Sequence, residues 1–123
     1  LTIAQYTEKY GIAPWSDWEN PLSPGGESGL VFADRVMTAT DRVVEEYRGK
    51  TVWVVCHGGV IMVTAVRRWP GASFDLRQLP VASPQNTSVS EWHVDIDSNW
   101  RMSRFADDTH LVGVNNGAAN IIG

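Results

Sequence analysis

Hydrophobic positions repeat at helical spacing through the first part of the chain, then change character. Thr2 stands ahead of Ile3, Tyr6 and Tyr10, which share one face, and Gly11 follows, so the pattern predicts a short helix from Thr2 to Tyr10. Residues 12–27, IAPWSDWENPLSPGGE, hold three prolines, two glycines and two tryptophans without a period and read as a loop. Ser28 then caps a long helix running to about Tyr47. Its stripe is Phe32, Val36, Ala39, Val43 and Tyr47, with Asp34, Asp41 and Glu45 opposite, and Gly49 ends it. Thr51 to Cys56 is apolar on both faces, which predicts a strand inside a sheet. Val60 to Trp69 reads as a helix apolar nearly all round, with Arg67 and Arg68 at its C-terminal end and Pro70 as its stop. Residues 71–87 are irregular, with one helical turn expected near Asp75 to Leu79. From Ser88 to Ile96 the chain alternates, Trp92, Val94 and Ile96 inward and Glu91, His93 and Asp95 outward. Asp97-Ser98-Asn99 turns it into a second strand, Trp100 to Phe105, and a small-residue tail, GVNNGAANIIG, is expected to be flexible.

Length and charge narrow the function. The 123 residues suit one domain, and 43% hydrophobic content can supply a core. The formal net charge is −4, and Arg67-Arg68 is the only adjacent basic pair, so no nucleic-acid partner is expected. No apolar run approaches a membrane span and no signal-peptide layout opens the chain, so no membrane partner is expected either. The single cysteine, Cys56, fits a reducing compartment, and a cytoplasmic location is the expectation.

Candidate chemistry centres on VWVVCHGGVI, residues 52–61. His57 closes the predicted strand and two glycines open the next helix. The first amides of a helix lack internal partners, the helix dipole adds partial positive charge there, and glycine lets a ligand approach the backbone. Such a corner takes an anion, and a histidine beside it can donate to a phosphoryl oxygen. The other reading of His57 is a buried ring satisfied by a carbonyl. A Cys56/His57 dyad is disfavoured, because adjacent residues of an extended chain point to opposite faces. Gly49-Lys50-Thr51 resembles the end of a P-loop, but Val44 stands where its first glycine belongs. Gly26-Glu27-Ser28-Gly29 lacks the last glycine of a nucleophile elbow, where Leu30 stands. His93 is expected to face solvent. His110, beside Asp107 and Asp108, has no partner at metal-ligand spacing, so no metal is expected.

Several segments in order resemble the histidine phosphatase superfamily, the phosphoglycerate mutase-like phosphatases: PGGES at 24–28, Arg35 and its helix, GKTVWVVCHGGVI at 49–61, NTSVSEW at 86–92 and WRMSRFADDTHL at 100–111. The resemblance implies an α/β fold, a three-layer α/β/α sandwich, of which residues 1–112 are the C-terminal part of a single domain and 113–123 a tail. It implies phosphoryl transfer through a phosphohistidine with no cofactor and no metal. A first histidine, in an Arg-His-Gly motif, attacks phosphorus; two arginines and a second histidine bind the phosphoryl oxygens; an acid protonates the leaving group. His57 matches the second histidine, and Gly58 the residue whose amide faces the phosphate. Glu27 and Ser28 match the segment leading into the long helix, with Ser28 as its cap and Glu27 as a pocket residue, a helix-dipole partner or a solvated loop acid. Asn86 matches a pocket-wall position, or is a turn or strand-start residue.

No Arg-His-Gly occurs in the 123 residues. The opening LTIAQYTEKYG resembles the stretch that follows the family's Trp-Glu-Gly segment, so the chain is expected to be part of a larger enzyme, inactive by itself. The expected activity of the parent is hydrolysis of a small phosphorylated metabolite, the short run before Glu27 favouring a phosphatase over a mutase. The alternatives are a non-catalytic anion-binding module and mutase activity in the parent. An esterase using the glycine pair as an oxyanion loop lacks a usable serine motif. The strand at 51–56, without a neighbour, is expected to present an apolar edge that invites pairing with a second copy of the chain. Trp15 and Trp18 either cover the pocket or cap the core.

Overall fold

A computed structural model describes residues 2–11, 17–21, 23–69 and 84–113. Three helices and one hairpin result: α1 (Ile3–Tyr10), α2 (Gly29–Glu46), α3 (Gly58–Arg68), β1 (Val89–Val94) and β2 (Trp100–Asp107), followed by a single 3₁₀ turn over Thr109–Leu111. None of the described helices is long and apolar enough to cross a membrane.

Each helix boundary has a local cause. Thr2 and Gln5 form a reciprocal capping box on α1, and Gly11 ends it in the left-handed region at φ +74°. The loop before α2 folds on itself. Asp17 accepts from the amides of Glu19 and Asn20, at 2.9 and 3.1 Å. Ser23-Pro24-Gly25-Gly26 closes a turn through the Gly26 amide and the Ser23 carbonyl, with Gly25 at φ +77° where a type II turn needs glycine. Ser28 caps α2 as expected, its Oγ accepting from Val31 N at 3.2 Å.

The buried side of α2 is Gly29, Ala33 and Val36. The expected stripe holds at Val36 and, half-buried, at Phe32 and Val43, whereas Ala39 and Tyr47 are exposed. The expected stripe and the buried side share Val36; the buried side continues to Ala33 and Gly29 because Trp18 and α3 pack there. Trp18, Ala33, Val36 and Val63 form the core, with Phe32, Val60 and Val66 packed against it.

Phe32 lies against Gly59, Val36 shares the core with Val63, and Asp41 pairs with Arg68, each pair 27 residues apart. The two helices therefore run side by side in broadly the same direction, and their N-termini lie at one end. The chain returns between them through residues 48–57. An extended residue advances about 3.3 Å against about 1.5 Å in a helix, so this short segment suffices to cover the length of α2.

That segment corrects the expectation of an internal strand. Residues 51–56 form no strand: they pair with no other described residue, and they are exposed, Val55 to 99% and Trp53 to 82%. The reason is a missing neighbour. The described sheet holds two strands, β1 and β2, antiparallel to each other, and neither bonds to this segment. α3 also begins earlier than the expected Val60, at Gly58, because His57 takes the N-cap backbone conformation.

The hairpin follows the alternation. Val94 opposes Trp100, His93 opposes Arg101 and Trp92 opposes Met102, before register shifts around Glu91. Asp95 Oδ1 accepts from the amides of Asp97 and Asn99, each at 2.9 Å, which fixes the turn. Ile96, expected to face inward, is 86% exposed, because it belongs to this turn rather than to β1. β2 runs on to Asp107, beyond the expected Phe105. Arg68 joins α3 to the hairpin, its guanidinium 4.5 Å from the centre of the Trp100 ring. The expected turn near Asp75 to Leu79 and most of the tail lie outside the described residues.

Candidate functional site

Two helix N-termini at one end concentrate positive dipole ends there, but they differ in what satisfies them. At α2 three of the first amides are occupied: Leu30 N donates to the Trp18 carbonyl at 2.9 Å, Val31 N to Ser28 Oγ and Phe32 N to the Ser28 carbonyl. At α3 the N-cap is His57, φ −85° and ψ 156°, and its side chain makes no capping bond. Val60 N donates to the His57 carbonyl at 2.9 Å. The amides of Gly58 and Gly59 find no acceptor among the described residues. Open donors and partial positive charge therefore coincide at the α3 corner.

Packing does not dictate either glycine. A Cβ on Gly58 would lie 3.6 Å from Pro84 Cδ, and one on Gly59 3.5 Å from Phe32, both ordinary contacts. Neither glycine has a positive φ.

The sequence-predicted residues divide as follows. His57 and Gly58 form the corner itself, with the His57 ring exposed rather than buried. Asn86 is an exposed turn residue; Ser88 N donates to the Gln85 carbonyl around it, at 3.0 Å, and Thr87 takes φ +65°. The segment reaches the corner through Pro84, against Gly58. Glu27 stands immediately before the α2 cap and binds Arg35: Arg35 Nε donates to Oε2 at 3.1 Å and Nη2 donates to Oε1. Arg35 holds the Glu27 carboxyl below the ordinary carboxylate range, and Glu27 raises the guanidinium in turn.

Sequence reasoning did not assign Arg35 a place in the site. Its guanidinium lies 5.3 Å from the centre of the Phe32 ring, and the same ring meets Gly59. One phenyl ring thus separates Arg35 from the first turn of α3. The spacing of Glu27, Phe32 and Arg35 around the cap at Ser28 was the available signal, since residues three apart on a helix are neighbours.

The remaining candidates lie elsewhere. His93 is exposed as expected, its Nε2 2.9 Å from Glu91 Oε1. His110 sits in the exposed 3₁₀ turn, and no group of three or more His, Cys, Asp or Glu side chains suited to a metal occurs among the described residues. Cys56 is exposed, and desolvation raises its thiol pKa, the opposite of what a nucleophile needs. Trp18 is buried against Gly29 and caps the core; Trp15 lies outside the described residues.

The order of these segments is shared with known proteins. Residues 1–108 match the histidine phosphatase superfamily (branch 1). The chain belongs to that superfamily. It is 32% identical over 90 residues to a metal-independent phosphoserine phosphatase of Arabidopsis thaliana, covering 73% of this chain and 34% of that protein. It is 33% identical over 87 residues to the Arabidopsis thaliana phosphoglycerate mutase-like protein 4, covering 71% of this chain and 35% of that protein. The chain thus spans about a third of the length of the curated relatives it matches. No solved structure matches it. Membership makes the fold α/β, and His57 lies in this chain between α2 and α3.

Proposed function

We propose that the whole protein containing this chain hydrolyses a small phosphomonoester through a phosphohistidine, with His57 as a donor to the transferring group rather than as its nucleophile. The observation that carries this reading is the α3 corner: two amides with no acceptor among the described residues and an exposed imidazole at the N-cap, in a superfamily of phosphatases and mutases. The names of the relatives support a phosphorylated metabolite as substrate and, for the first, chemistry without a metal.

In this reading a histidine outside these residues forms a bond to phosphorus while the ester oxygen leaves and takes a proton from an acid. Water then attacks phosphorus, the P–N bond breaks, and inorganic phosphate and free histidine result. His57 and the Gly58 amide hold phosphoryl oxygens whose negative charge is carried through both steps. The absence of Arg-His-Gly from the 123 residues, and their one-third share of the relatives, support assigning the attacking histidine to the rest of a longer protein. Residues 51–56 would there be an inner strand of the sheet of the three-layer α/β/α sandwich, and Asn86 part of the pocket wall beside Gly58.

The test is His57→Ala in the whole protein. Turnover of a phosphomonoester should fall by about 10²-fold or more, as when one preorganised transition-state donor is lost. Unchanged turnover would remove His57 from the mechanism.

A further inference from the structure

Resting on the phosphatase reading, we propose that Arg35 is a specificity-determining residue: it recognises a carboxylate on the leaving group of the phosphomonoester.

A guanidinium carries five N–H donors in a fixed fork. Side-on pairing with Glu27 uses Nε and one donor of Nη2, and Nη1 has no partner among the described residues. The side chain is 62% exposed, so those donors reach solvent. Glu27 holds the fork in one orientation, which lowers the entropy lost when a ligand docks. The Phe32 ring beneath the guanidinium continues to Gly59, so an ester bound at the α3 amides can extend over an apolar floor toward Arg35.

Charge selects the ligand group. Glu27 cancels most of the arginine's charge, and its carboxylate repels a second dianion placed alongside. A monoanion approaching Nη1 meets the same strong donors with about half that repulsion, since the Coulomb term scales with its charge. A carboxylate therefore fits better than a second phosphate. The alternative, an ion pair that only ties the 23–28 loop to α2, is a surface contact worth about 0–1 kcal/mol and makes no distinction between substrates.

Two esters of equal length separate these roles in the whole protein: 3-phosphonooxypropanoate, which ends in a carboxylate, and propyl phosphate, which ends in a methyl group. The wild-type protein should prefer the first. Arg35→Gln should reduce the ratio of their kcat/KM values by tenfold or more, chiefly through KM of the carboxylated ester, and Arg35→Lys should restore part of it. A ratio unchanged in Arg35→Gln overturns the proposal, whether or not both activities fall. If the wild type turns over neither ester, the phosphatase reading fails by itself. Calorimetric binding of the same two esters then decides: a wild-type preference for the carboxylated ester that Arg35→Gln abolishes supports the assignment, and equal affinities overturn it.

Discussion

Replacing Gly29 by alanine sets two effects of opposite sign against each other. Gly29 is the first residue of α2, and a glycine in a helix costs about 0.5–1 kcal/mol relative to alanine, so propensity alone predicts a gain. Packing predicts a loss. A Cβ at this position would lie 2.3 Å from Trp18 Cε3 and 2.8 Å from Cδ2, distances at which something must move. The backbone does not yield freely, because the Trp18 carbonyl accepts from Leu30 N at 2.9 Å. Forced overpacking costs typically about 1–3 kcal/mol. Expelling the indole instead would forfeit up to about 4–6 kcal/mol, taking about 150–250 Å² of buried aromatic surface at about 25 cal/mol per Å². Overpacking is the cheaper response, and it still exceeds the propensity gain, so Gly29→Ala should destabilise by about 1–2 kcal/mol. With a urea slope of about 1–3 kcal/mol per M, the unfolding midpoint followed by far-UV circular dichroism should fall by about 0.5–1 M. Gly59→Ala is the control: its Cβ would be 3.5 Å from Phe32, so the midpoint should hold or rise. A Gly29→Ala protein as stable as the wild type would refute the clamp. The outcome bears on the site, since Trp18 and Gly29 fix the loop that delivers Glu27 to Arg35.

Two further outcomes follow from exposed features. Asn99, then Asp97, hydrogen-bonds the Asp95 carboxylate and lowers its pKa from 3.8. A carboxyl depressed in the folded state stabilises above its unfolded pKa and loses that contribution as pH falls through its folded value. Asp95→Asn should therefore lower the urea midpoint at pH 6, and the gap to wild type should narrow as the pH falls below the unfolded carboxyl's range and through the lowered folded value; a gap independent of pH would contradict it. The unpaired edge at 51–56 should make the 123-residue chain associate with itself, with sedimentation rising with concentration; Val55→Lys, at a side chain 99% exposed, should abolish that rise, and a wild-type chain monomeric at all concentrations would count against edge pairing.

The helices were legible in the sequence because their signals are local. Thr2, Ser28 and Gly11 act within four residues of themselves, and each caps where it was expected to. The hairpin was legible for the same reason, Asp95 and Asn99 holding a turn between alternating strands. The candidate corner followed from one rule about strand ends and glycines. What failed was information held by distant residues. Whether Ala33 or Ala39 faces inward depends on Trp18 and Val63, not on the period of α2. Whether 51–56 pairs depends on strands that the described residues do not supply. How near Arg35 lies to the first turn of α3 was not legible either, because that proximity comes from Phe32 and Gly59 meeting across two helices.

The exposed segment and the open corner are physically one problem. His57 follows directly on Val52–Cys56, so the helix side fixes its backbone while the strand side is held by no described partner. Ordering a residue costs about 1–2 kcal/mol in backbone entropy, and a ligand that ordered this approach would spend binding energy doing so. Pairing the segment with neighbouring strands removes that cost beforehand. It also buries Val52, Trp53, Val54 and Val55, at about 1.5–3 kcal/mol for each fully covered side chain. Covering the strand excludes water from the base of the corner as well, which strengthens every hydrogen bond made there. Strand pairing and anion binding should therefore be coupled: whatever covers residues 51–56 raises the affinity of the Gly58 and Gly59 amides for an anion, without touching the anion itself.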